Sequence, residues 1–322
     1  MMTMEIHEIV SAGNVTSLLS KEAAVLERFK GYTVSFKRYF LSSPEQLGEL
    51  DSRDSRSSFV IQPVLGKDKI AVWLFLTKEC PVELIWRRYE FLDGGDSEEQ
   101  TTRILKAYED DLRDQGLDIA DHCVRTWFFV DDIDHNYAGV VKARKEIFET
   151  LGMTPDTHYL ASTGIGCKSI SPCSIVQMDA LAIKGVFSQR YLYAPANFNP
   201  THEYGVTFER GAVIEYGGKS HVLISGTASI NNKGEIVHPG DVKAQTIRMW
   251  ENVSALLSEG RSSWDDVRMM IVYLRNAEDY DHVLPLFQER FKGSIPYVIT
   301  HAPVCRPGWL IEMECIATNE TA

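Results

Sequence analysis

The sequence predicts an α+β protein built from two β-β-α-β-α-β units in tandem, each a mixed sheet with its helices on one face. Three observations carry that prediction. The chain repeats itself: the stretch from Gln100 (QTTRILKAYEDDL) and the stretch from Gln245 (QTIRMWENVSALL) both open on Gln-Thr and run through a helical segment into an acidic turn. Each then reaches Val-Arg, an apolar strand, an Asp-containing loop and a second helix ending in Phe, and both Val124 to Phe148 and Val267 to Phe291 span 24 positions. Downstream, Val176-Gln-Met-Asp-Ala-Leu-Ala182 lies in phase with Ile311-Glu-Met-Glu-Cys-Ile-Ala317, apolar on apolar and polar on polar.

Taken in order, residues 1–57 hold a helix-like stretch, Lys21 to Phe29, and a Ser- and charge-rich section, Ser42 to Ser58. This is expected to be an N-terminal extension, loosely ordered near Asp51 to Ser58. A first, degenerate repeat is expected over 58–184. In 185–204, the run Ser188 to Glu203 is rich in Tyr, Pro and Asn and suits either a linker or a loop laid over a pocket. The second repeat, 205–318, is the clearer one. His221 to Ser225 is a short β-rich run that Gly226 to Ile230 continues, and Asn231-Asn-Lys-Gly234 is a turn with a glycine for positive φ. Asp241 precedes a helix in which Ile247, Trp250, Val253, Leu256 and Leu257 recur at helical spacing, and Gly260 stands where a C-cap glycine belongs. Val267 to Leu274 is a strand and Asp279 to Lys292 a helix. Leu310 to Ala317 alternates apolar and polar as a half-buried strand does.

Composition narrows the function. The 322 residues are 44% hydrophobic and 10% aromatic, enough to fold into a sizeable core, and carry a net charge of -12. No surplus of Lys and Arg exists to neutralise phosphates, so nucleic acid is not expected as the ligand. Apolar runs such as Ile70 to Leu76 are strand-sized, and no membrane partner is expected. The N-terminus lacks a basic region followed by an apolar stretch, and the six cysteines include no CxxC pair; a reducing, cytoplasmic setting is predicted. The histidines and cysteines show no metal-ligand spacing, and Thr163-Gly164-Ile165-Gly166 lacks the third glycine of a dinucleotide loop. Neither metal nor cofactor is expected.

The second repeat resembles the Rid (YjgF-like, endoribonuclease L-PSP) superfamily in Ser225-Gly226, Gly234, Gly240-Asp241, Gln245-Thr246, Asn252 and Glu312-Met-Glu-Cys-Ile-Ala317. That resemblance implies a duplicated Rid/chorismate-mutase-like fold, assembled as a homotrimer or as a pseudo-symmetric monomer. Rid imine hydrolases hold a carboxylate with an Arg in a Pro-x-Arg phrase; here that region reads Ile295-Pro-Tyr297-Val-Ile299. The chain further resembles the chorismatases, which remove pyruvate from chorismate. The matching phrases are Ser225-Gly-Thr-Ala-Ser229, His238-x-Gly240-Asp241-Val242-x-Ala244-Gln245, Arg125-Thr-Trp127, Tyr204-Gly205 with Phe208-Glu209-Arg210, and Cys305-Arg306 leading to Glu312. The Pro-Arg that would follow Tyr204-Gly205 is Val206-Thr207.

Candidate site residues follow. Alternation places Glu312 and Glu314 on one face of their strand, and a carboxyl near an apolar sheet can be kept protonated as a general acid. The chorismatase resemblance gives Glu312 that role, protonating the enolpyruvyl ether. Gln177 occupies the matching position of the first repeat and cannot act as such an acid, so the chemistry is expected in the second repeat only. A small carboxylated metabolite needs fixed cations, for which Arg144, Arg210 and Arg306 are candidates with Arg125 behind them. Cys305 is implied as a further catalytic residue in contact with substrate. Ala228, Tyr204 and Tyr193 complete the implied binding set. Three functions stay open: chorismatase-like removal of pyruvate, imine or enamine deamination, and a metabolite-binding module without catalysis.

Overall fold

A computed structural model describes residues 4–169, 171 and 173–321. Its strands form three sheets. The first contains β1 (Glu5–Ala12), β2 (Thr33–Leu41), β3 (Ser57–Ile61) and β4 (Ile70–Thr77), with helix α1 (Val15–Arg28) between β1 and β2. The second contains β5 (Glu83–Glu90), β6 (Cys123–Val130), β7 (Ser162–Gly166) and β8 (Val176–Lys184), with α2 (Ser97–Arg113), the single turn α3 (Ile119–His122) and α4 (Ile133–Thr150). The third contains β9 (Ser188–Leu192), β10 (Gly211–Tyr216), β11 (Lys219–Ala228), β12 (Val267–Leu274), β13 (Tyr297–His301) and β14 (Ile311–Glu320), with α5 (Val242–Glu259) and α6 (Tyr280–Phe291).

Strand order makes the three sheets copies of one plan. They run β1-β4-β2-β3, β5-β8-β6-β7 and β11-β14-β12-β13, the last extended by β10 and β9. In each, the final strand is antiparallel to both neighbours and the edge strand is parallel to the one beside it. The chain thus holds three units, where the repeat predicted two. The 1–57 extension is corrected: it supplies β1, α1 and β2, and β3 begins at Ser57. The boundary at 58 is corrected with it, because β3 and β4 pair with β2 and β1, and the second unit starts at β5. The 185–204 segment is more than a linker, since β9 pairs with β10.

The residues that gave away the repeat have a common job. Gln100 and Gln245 are fully buried. The Gln245 side chain donates to Gly308 O and accepts from Leu310 N; that of Gln100 donates to Cys173 O and accepts from Ile175 N. Each glutamine pins the loop ahead of its unit's last strand to the first helix, satisfying backbone groups that burial would otherwise leave unpaired. Asp96 and Asp241 cap those helices, accepting from Glu99 N and Ala244 N.

The units close into a ring through the same contact made three times. Lys168 N donates to Ile61 O (3.1 Å), Gly166 N to Pro303 O (2.8 Å), and Leu65 N to Ile299 O (3.0 Å). Each joins an edge strand to the loop after the edge strand of the next unit. Sheet faces turned away from the helices meet in a shared core, where Phe36 stacks on Trp86 at 4.0 Å and Trp86 on Trp127 at 5.7 Å. Arg38 lies inside it with no exposure, 4.5 Å from the Trp127 ring and paired with Asp179 at 2.8 Å. No helix among the described residues is long and apolar enough to cross a membrane.

Candidate active site

The seam between the second and third units opens into a cavity of about 230 Å³. Its unit-two wall comes from α4, where Tyr137, Val141 and Arg144 share a face by helical spacing, and from Ser162, Thr163 and Gly164 on β7. Its unit-three wall comes from Gly226 and Ala228 on β11, Glu312 on β14, the loop bearing Cys305 and Arg306, and the turn bearing Tyr204. The seam is zipped by backbone and hydroxyl contacts: Glu209 N donates to Leu160 O (2.8 Å), and Ser162 N to Ser225 Oγ (3.0 Å). Asn252 holds the end of β11 by donating to Ala228 O and Ile230 O, which places Ala228 opposite Glu312 in register.

Glu312 is 4% exposed, and among the described residues its carboxyl makes no hydrogen bond. Burial, followed by the neighbouring Glu314 carboxylate, pushes its pKa up to about 8, against the opposing pull of Arg210 and Arg125. A carboxyl in that state is a proton donor at neutral pH. Its room depends on Gly226, where a Cβ would lie 2.9 Å from the Glu312 Cδ. Cys305 stands beside it, and burial, then the Glu312 charge, pushes the thiol up to about 12. Cys305 is therefore a neutral thiol on the pocket wall, not a thiolate nucleophile.

Three arginines face the same space. Arg144, 1% exposed, donates from Nε to Thr207 Oγ1 (3.0 Å) and from Nη1 to Ser162 Oγ (3.5 Å), leaving Nη2 unpartnered among the described residues. Arg210 donates to Asn199 O (3.4 Å) and keeps a buried Nε without a partner among them. Arg306 reaches Gly234 O (3.4 Å). The Tyr204 ring lies between two guanidiniums, 4.5 Å from Arg306 and 5.4 Å from Arg210. Cations with unmet N–H donors in the wall of a cavity are chemically suited to an anion.

Two sequence candidates fall elsewhere. Arg125 is absent from the wall: it lies beneath the floor, donating to Glu314 (2.5 Å) and Thr163 (2.6 Å). Tyr193, 47% exposed, lines a separate cavity with Tyr159 and Phe198, because β9 carries its segment to the far side of the Tyr204 turn. The structure adds Tyr137, Thr163 and Gly164. Tyr137 sits two helical turns before Arg144, a spacing that could have flagged it, and its ring fills the place a Cβ at Gly164 would need. Thr163-Gly164 is strand, not a glycine loop. The arginine missing near Tyr297 concerns another seam, since β13 faces the first unit; the pocket draws its edge strand from β7, which carries Ser162 and Thr163.

Comparison with known proteins agrees with this architecture. The family described as Endoribonuclease L-PSP matches residues 212–319. A RutC family protein of Pyrococcus abyssi is 37% identical over 101 residues, 31% of this chain and 79% of that protein. The 3-hydroxybenzoate synthase of Streptomyces hygroscopicus is 27% identical over 216 residues, 59% of this chain and 62% of its own length. Among solved structures, a chorismatase superposes with a TM-score of 0.76 at 18% identity, covering 98% of both chains.

Proposed function

Because the chain belongs to the Rid (RutC, endoribonuclease L-PSP) superfamily and has a chorismatase-like fold, we propose that it removes pyruvate from chorismate, or from a closely related carboxylated enol ether, by general-acid catalysis at the seam of units two and three. The observation that carries this reading is the buried Glu312, free of hydrogen bonds among the described residues and with its pKa pushed up by burial, in a cavity that three arginines share. Arg144 and Arg210, each with an unpartnered buried N–H, would grip the substrate carboxylates. Glu312 would deliver its proton to the terminal CH₂ of the enolpyruvyl group, placing positive charge on the ether carbon. Water adds to that carbon and loses a proton, and the resulting hemiketal collapses to pyruvate and the ring alcohol. Glu312, left as a carboxylate, is reprotonated from solvent. The names of the Streptomyces relative and of the superposed structure support the substrate class.

Binding also keeps the proton donor loaded. Arg210 pulls the Glu312 proton off in the empty pocket; a substrate carboxylate paired with Arg210 offsets that pull and leaves Glu312 more fully protonated. The three-unit ring supports a pseudo-symmetric monomer, with one chain supplying what three subunits supply in a trimer.

The test is purified protein with chorismate, following loss of its ultraviolet absorbance and release of pyruvate, beside Glu312→Gln. Pyruvate formed by the wild type and lost in the variant supports the reading. No turnover sinks the substrate, and hydrolysis of amino-acid-derived imines becomes the next assay.

A further inference from the structure

Two glutamates share one face of β14, and their surroundings are opposite. The Glu314 carboxylate accepts from Arg125 Nη2 (2.5 Å), Thr163 Oγ1 (2.6 Å), Trp127 Nε1 (2.9 Å) and Tyr273 OH (3.0 Å). Those donors come from β6, β7 and β12, so both units at the seam hold it. Glu312, two residues earlier, accepts from none of the described residues. Their Cα atoms are about 7 Å apart along the strand. A fixed anion at that range, in a buried site, disfavours a second one.

We infer that Glu314 is a positioning residue for the reaction: held in place by donors from both units, its side chain keeps the proton on Glu312. The inference rests on the reading of Glu312 as the proton donor.

The first seam supplies a comparison inside the same molecule. There Arg38 of unit one pairs with Asp179 of unit two, as Arg125 of unit two pairs with Glu314 of unit three. Pairing places Asp179 opposite Trp127 on β6 and Glu314 opposite Ile271 on β12, each two residues past the bulge of that strand, so the two anions are equivalent. An ion pair thus closes both seams, and only the second has a carboxyl two residues ahead of the anion; the first has Gln177. Arg38 and Arg125 are matched by Asp179 and Glu314, leaving no spare cation behind β14 for an ionised Glu312. The groups that do face Glu312 are Tyr137 and Arg144 from α4, Tyr204 from its turn, Cys305 and Arg306 from the loop before β14, and Arg210. Of the cations near it, Arg144, Arg210 and Arg306 border the cavity, where substrate carboxylates would engage them, while Arg125 lies beneath the floor, paired with Glu314. With substrate in place, Glu314 and its Arg125 partner remain to act on Glu312.

Burial is the larger cause of the raised Glu312 pKa and Glu314 the next, so the two are separable by experiment. Protein labelled with ¹³C at the glutamate carboxyl is titrated by NMR, the Glu312 resonance being assigned from its loss in Glu312→Gln. Glu314→Gln is expected to lower the Glu312 midpoint by about one pH unit, and Glu314→Asp to restore it. An unchanged midpoint in folded Glu314→Gln overturns the inference. Wild-type protein tests it without any variant having to fold: the Glu312 resonance must titrate well above the ordinary carboxylate range, and a midpoint inside that range overturns it. These readouts need no turnover, so a failure of chorismate as substrate is distinguishable from a failure of the coupling. If chorismate is turned over, the alkaline limb of kcat moves down with the midpoint.

Discussion

Gly226 and Glu312 are fitted to each other: the carboxyl of one occupies the space that any Cβ on the other would take. The Ser225-Gly226 phrase therefore reserves room for the acid, and the Gly226 N–H, donating to Thr163 Oγ1 at 2.9 Å, ties that floor to the Glu314 network. Gly226→Ala is expected to fold, because the displaced carboxyl can move into the cavity. Its kcat with chorismate should fall about 100-fold from misplacement of the proton donor. Steady-state kinetics beside circular dichroism checks this, and wild-type kcat in the variant would contradict the fit.

Glu312 ties activity and stability to the same proton. Its acid form is needed, so kcat should be level below about pH 8 and fall about tenfold per pH unit above it. The folded pKa is raised from 4.5 to about 8, so the folded state holds the proton more tightly than the unfolded chain. The stability this contributes is complete below pH 4.5 and is lost as pH rises through 8. Glu312→Gln should therefore match the wild type in acid and exceed it by about 5 kcal/mol at alkaline pH. Urea unfolding at both pH values measures the difference; equal stability at both would contradict the buried acid.

Arg144 and Arg210 offer donors that the protein itself leaves unpaired. Arg144→Met and Arg210→Met should each raise KM for a dicarboxylate about 100-fold, or about 3 kcal/mol. Esterified or monocarboxylate analogues should lose that sensitivity to one of the two. A KM that neither substitution moves would mean that the pocket does not hold its ligand through carboxylates.

At the centre of the ring, Asp179→Ala would leave the Arg38 guanidinium among aromatic rings with Glu314, 3.9 Å away, as its remaining counter-charge among the described residues. A loss of about 3–5 kcal/mol is expected. Adding Arg38→Met should recover most of it, because the uncompensated charge rather than the missing contact is what destabilises. Denaturant midpoints of the two variants decide this, and no recovery in the double variant would point to packing instead.

Much of units two and three was legible in the sequence because their signals are local. Gln100 and Gln245 recur because each caps the same loop, Asp241 precedes α5 because it caps it, and alternation along β14 put Glu312 and Glu314 on one face. Arg144, Arg210, Arg306, Tyr204, Cys305 and Ala228 line one cavity with Glu312. The first unit was not legible, because the place of its second helix is taken by a short 3-10 turn, Pro44–Glu49, which breaks the period that a repeat search reads.

Periodicity and motif, then, determined by themselves which residues form the later elements and that Glu312 and Glu314 share one strand face, since both depend on neighbours a few positions away. Only tertiary structure decided that there are three units, that the pocket lies at their second seam, that Arg125 sits under the site and Tyr193 outside it, and that two glutamates on one strand face live in opposite surroundings. Those outcomes rest on contacts such as Gly166 to Pro303 and Arg125 to Glu314, between residues far apart in the chain. A carboxyl's proton affinity is set by what is packed around it, and no local pattern records that.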